Sequence, residues 1–123
     1  METLDDVATA LAERMDTYND GQAERARFIM EAIRDRPTTP SGTMAAWMRA
    51  RHGRAVETIQ LHGDGRVWIP GPREIDAERR RGAVYFGESS RDYAGTTVTG
   101  ANDGALVVTT REGATILYVE AGR

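Results

Sequence analysis

Residues 56–70 read VETIQLHGDGRVWIP, two β-type runs flanking Gly63-Asp64-Gly65. Glycine reaches positive φ without a Cβ clash, so this triplet is a turn signal with a mechanism. Segregation of polar and apolar faces then selects the register. A two-residue loop of Asp64 and Gly65 sets Leu61 against Trp68 and His62 against Val67, mixing both faces. A three-residue loop, 63–65, sets Leu61 against Val67 and Ile59 against Ile69. Gln60 then opposes Trp68 and His62 opposes Arg66 on the other side. The second register is the expected one. It assigns Ile59, Leu61, Val67 and Ile69 to the core, and Trp68 and His62 to the more polar face.

Upstream of the hairpin the periodicity is helical. Leu4, Val7, Ala8, Leu11, Met15 and Tyr18 recur at three- and four-residue steps, and Ala26, Ile29, Met30 and Ile33 repeat the pattern. Asn19-Asp20-Gly21 lies between the two stripes as a breaker, with Asp20 able to cap a second helix. The apolar phase carries across the break, so one long helix is also open. A helical hairpin is preferred, because a single helix of that length would run to about 50 Å and overhang so short a chain. Phe28 falls off the second stripe, which makes it either a packing residue toward the sheet or an exposed anchor for another chain. Pro37 and Pro40 end the helical run. Residues 43–53 then form a short helix with Met44, Trp47 and Met48 on one apolar face. Arg49, Arg51 and His52 lie near its negative C-terminal end.

Downstream, residues 73–82 (REIDAERRRG) are a charged crossover and 83–86 a short apolar strand. Three β-branched segments, 96–99, 105–110 and 114–120, follow as a meander joined by turns at 100–104 and 111–113. The expected fold is α+β, an N-terminal helical layer of two or three helices packed on a five- or six-stranded antiparallel sheet. The 123 residues read as one domain, with residues 1–53 helical and 54–123 forming the sheet.

Composition excludes several classes. There is no cysteine, hence no disulfide framework, thiolate nucleophile or cysteine zinc site. All 16 basic residues are arginine, which together with abundant Ala, Gly, Asp and Glu is the product of a GC-rich genome, a bacterium or its phage. The N-terminus is acidic and amphipathic, unlike a signal peptide, and no apolar run is long enough to span a membrane. A cytoplasmic location follows, in its own cell or in a host cell. Charge is unevenly spread along the chain. Residues 1–35 carry net −5, residues 36–82 net +4 and residues 83–123 net −2.

Motifs that would specify chemistry are incomplete. Residues 16–27 match a calcium loop at Asp16, Asp20 and Gly21 but place Tyr18 and Arg27 where oxygen ligands are required. His52 and His62 lie at opposite ends of a strand and do not converge on Glu57, so no metal is expected. Gly87-Glu88-Ser89-Ser90 lacks the second glycine of a nucleophile elbow. The glycine-rich turns join strands rather than open helices, so no phosphate-bearing cofactor is expected. The order of elements superficially resembles a winged helix-turn-helix. However, the chain enters a strand directly after Arg54, leaving no recognition helix before the wing.

The reading leans away from an enzyme and toward a non-enzymatic protein-binding or assembly module, working by homo-oligomerisation or with a partner protein. The candidate interaction residues are Phe28, Arg49, Arg51, Arg54, Trp68, Arg79, Arg80 and Arg81. One alternative is a small DNA-binding regulator contacting phosphates through the arginines of 49–54 and 73–81. The other is a small enzyme of unstated reaction.

Overall fold

The computed structural model describes residues 3–51, 56–62, 67–68 and 96–120. α1 (Leu4–Glu13) begins at a reciprocal cap. The Asp6 N–H donates to the Thr3 hydroxyl while the Thr3 N–H donates to the Asp6 carboxylate, satisfying two donors the helix leaves open. A 3-10 turn, Met15–Thr17, then breaks the helix. α2 (Asp20–Arg34) restarts it with a second reciprocal cap between Asn19 and Gln22. Asn19 is therefore the cap in place of Asp20, which sits in the first turn where its charge complements the helix dipole. The two helices pack against each other as the expected hairpin. Thr43 caps the seven-residue α3 (Met44–Ala50), its hydroxyl accepting from the Ala46 N–H at 3.1 Å.

The sheet is antiparallel throughout, in the order β2-β1-β5-β4-β3. Four strands have five or six residues: β1 (Val56–Leu61), β3 (Thr97–Ala101), β4 (Ala105–Thr109) and β5 (Thr115–Glu120). The two-residue β2 (Val67–Trp68) adds one edge. The strand expected at 83–86 lies outside the described residues, as does Ile69. The β1–β2 pairs are Leu61 with Val67 and Gln60 with Trp68, the register that a three-residue loop requires. Strands β4 and β5 pair with the same spacing. Thr109 pairs with Thr115, and Gly113 ends the loop at φ 84°, a conformation that glycine adopts without strain.

Side chains alternate along each strand, so the sheet has two faces with different covers. Ile59, Leu61, Ala105, Val107 and Leu117 pack under α1 and α2, against Leu4, Val7, Ile29 and Ile33. Val56, Leu106, Val108 and Tyr118 pack on the opposite face under α3, against Met44 and Trp47. The expectation of one helical layer on one side is thus corrected. The hairpin and the short helix sandwich the sheet. Val67 also departs from its expected place: it is 38% exposed, β2 being the outermost of the described strands beyond β1, where the apolar cluster under the hairpin stops.

To pass from α2 on one face to α3 on the other, the chain must round an edge of the sheet, and it does so at β3. The Ala101 N–H donates to the Thr39 carbonyl at 3.1 Å. Gly100 lies so close to the crossing segment that a Cβ there would sit 1.9 Å from the Pro37 carbonyl oxygen. A register shift between Val98 and Gly100 bends the strand at this point, and the Thr99 hydroxyl donates to the Val107 carbonyl. The proline-containing linker therefore covers part of an edge that would otherwise present unpaired backbone groups. Among the described residues no helix is long and apolar enough to cross a membrane.

Candidate functional site

Polar groups concentrate at the end of the sheet where α3, the β3–β4 turn and the end of β5 meet. The turn forms because the Asn102 side-chain oxygen accepts from the Gly104 and Ala105 N–H groups, at 2.9 and 2.8 Å. That geometry leaves the Asn102 and Asp103 carbonyls free to face α3. The Trp47 indole N–H donates to the Asn102 carbonyl at 2.8 Å. Arg51, the C-terminal cap of α3, donates to the Asp103 and Asn102 carbonyls and back to the Trp47 carbonyl. Its guanidinium stacks 4.1 Å from the Trp47 ring centroid and pairs with Glu120 at 3.0 Å. Both partners of this ion pair are buried, Arg51 at 9% and Glu120 at 8% exposure.

The sequence placed Arg51 with Arg49 and Arg54 as one edge of a phosphate-contacting surface. Burial and saturation of its donors by protein carbonyls give it another role: it fastens α3 to the sheet. Arg49 is exposed on the same helix, and Arg54 lies outside the described residues. The structure therefore does not bring Arg49 and Arg51 onto a common outer surface. Phe28 is partly buried against the core under the hairpin, with the Arg25 guanidinium 5.5 Å from its ring centroid. Arg25 is itself held by Glu57 on β1, at 2.7 Å to both carboxylate oxygens. Trp68 takes its backbone place opposite Gln60, and its side chain lies outside the described part, as do Arg79, Arg80 and Arg81.

Sequence reasoning missed a cleft of about 520 Å³ between α2 and the β3–β4 turn. Phe28, Ala32, Ala105 and Val119 supply its apolar lining, and Glu31, Asp35, Asn102, Asp103 and Glu120 also border it. The exposed Asp35 carboxyl is held below the usual carboxylate range by a hydrogen bond from Arg34. Contributing residues come from three distant parts of the chain, so no local pattern announces the cleft. Among the described residues no group of histidines and carboxylates is arranged to hold a metal ion. Compared with protein-family models, curated proteins and solved structures, the chain matches none.

Proposed function

We propose that the chain is a non-enzymatic binding or assembly module, acting by self-association or with a partner protein, in the cytoplasm of its own or a host cell. The observation that carries this reading is the acidic outer surface of the helical hairpin. Glu13, Asp16, Asp20, Glu24 and Glu31 are exposed there, against exposed Arg14, Arg27 and Arg34. Two further cations are drawn into ion pairs, Arg25 with Glu57 and Arg36 with Asp5. The acidic hairpin complements the net +4 of residues 36–82, so two copies, or this chain and a basic partner, attract one another.

Light scattering at about 50 mM and about 0.5 M salt tests this, since screening at the higher concentration cuts the attraction between exposed charges. The expected result is an oligomer, or a stable complex with a defined partner, that loosens as salt rises. A chain that stays monomeric at every concentration and forms no complex would count against the reading.

A further inference from the structure

Asp-Gly pairs stand at 20–21, 64–65 and 103–104. In such a pair no side chain shields the glycine nitrogen, which can attack the preceding carboxyl. The attack needs a mobile carboxyl and a backbone twist that a helix forbids. Asp20 and Gly21 stand inside α2, so their backbone is held against it. Asp64 and Gly65 lie outside the described residues. Asp103 and Gly104 sit in the bend between β3 and β4, outside helix and ladder.

The Asp103 side chain is fully exposed and loosely attended, its Oδ1 lying 3.9 Å from Arg51 Nη2. Asn102 is the opposite case, its side-chain oxygen pinned by the Gly104 and Ala105 N–H groups. The Gly104 bond is itself exposed, so water can take its place and free the nitrogen. The Asp103 main-chain carbonyl accepts from the Arg51 guanidinium. A cation there draws electrons from the Asp103–Gly104 peptide, making its N–H more acidic and its carbonyl carbon more open to water.

We propose that Asp103 is a site of aspartate isomerisation, and that the product loosens α3 from the sheet. The Gly104 nitrogen bonds to Asp103 Cγ. One carboxyl oxygen leaves as water with the amide proton and a solvent proton, closing a five-membered imide. Water then adds to the Asp103 main-chain carbonyl carbon and breaks its bond to Gly104, and the solvent proton returns. Mass and charge are unchanged. The main chain now runs through Cβ and Cγ, one methylene longer, and the carbonyl that Arg51 held has become a free carboxylate. The longer turn no longer fits the Asn102 N–H to the Ala105 carbonyl or the Glu120 N–H to the Gly104 carbonyl, each at 3.0 Å. Trp47 and Arg51 lose the placement of the two carbonyls that fasten α3.

The test ages the full chain in warm neutral buffer, digests samples, and locates isoaspartate by electron-transfer fragmentation. It is expected to build up at 103 and not at 20. In the aged fraction the Trp47 indole N–H resonance is expected to shift and the urea midpoint to fall. Asp103→Glu keeps the exposed charge but would have to close a six-membered ring, and is expected to stop both changes. No isoaspartate at 103, or accumulation there no faster than at 20, would overturn the site. Isoaspartate at 103 with the Trp47 resonance and the midpoint unmoved would overturn its effect on α3. An equal fall of the midpoint in the Asp103→Glu chain would assign the loosening to another position, against the proposal.

Discussion

The two faces of the sheet are closed by different means. Under α1 and α2, two long amphipathic helices lay continuous apolar stripes on the strands, and ion pairs stand at the margins, Arg25 with Glu57 and Arg36 with Asp5. Under α3, a helix of seven residues contributes only Met44 and Trp47 to the fully buried cluster. Seven residues are too few to hold a helix by propensity or by a long stripe. Here a buried arginine supplies the missing attachment, tying the helix end to the β3–β4 turn and to β5 through Trp47, Asn102, Asp103 and Glu120. A long helix is held by area, and a short one by directed polar contacts.

That contrast breaks most visibly at Arg51. Arg51→Ala removes the guanidinium beside the buried Glu120 together with its hydrogen bonds to the turn carbonyls, and is expected to cost about 3–5 kcal/mol in urea unfolding. Combining Arg51→Leu with Glu120→Leu should recover most of this, because apolar replacement of a buried pair is often neutral. If the double variant is as unstable as the single one, hydrogen bonds to the turn carbonyls outweigh the ion pair. On the other face, Ile33→Ala is expected to cost about 2–5 kcal/mol through lost burial and a cavity, with no rescue by any change of charge. The crossing at β3 comes next. Gly100→Ala forces the linker off the strand, for about 1–3 kcal/mol, read as a lower denaturation midpoint and faster hydrogen exchange at Ala101.

A smaller effect, about 1 kcal/mol, is expected when Asn19→Ala removes the cap that restarts α2. The smallest concerns pH. The Arg36 hydrogen bond and then its charge hold the exposed Asp5 carboxyl below the usual carboxylate range. A depressed folded-state value means a contribution that is present above the ordinary carboxylate pKa and lost as pH falls through the folded value. Asp5→Asn should therefore lower stability slightly at neutral pH, flatten the acid limb of the stability curve and leave stability below the folded value nearly unchanged. An Asp5 titration midpoint in NMR no lower than that of other exposed acids would remove the effect.

How much of this was legible in the sequence follows from the same contrast. The hairpin of α1 and α2 could be read because Leu4, Val7, Ile29 and Ile33 repeat at helical spacing on either side of a breaker. The β1–β2 register could be read because only one loop length separates the faces. The side of the sheet chosen by α3 could not, since Met44 and Trp47 fit either apolar face equally. Nor could the role of Arg51, because in a chain whose every cation is arginine no single one stands out. A hint existed in its position one turn after Trp47, where a guanidinium can fold back over the indole and the last helical carbonyls. The cleft residues lie too far apart in sequence for any local pattern to join them.

The place of β5 has a consequence for biosynthesis. β5 lies between β1 and β4, with Leu117 fully buried, yet it is the last of the described strands to be made. Until residue 120 has left the ribosome, β1 on one side and the β3–β4 hairpin on the other are separate pieces, each with an open edge and uncovered apolar faces. The hairpin and α3, though translated first, have no finished sheet to rest on. During that interval the open edges are exposed to misfolding, and removal of residues 115–120 would leave the described strands as two unjoined halves.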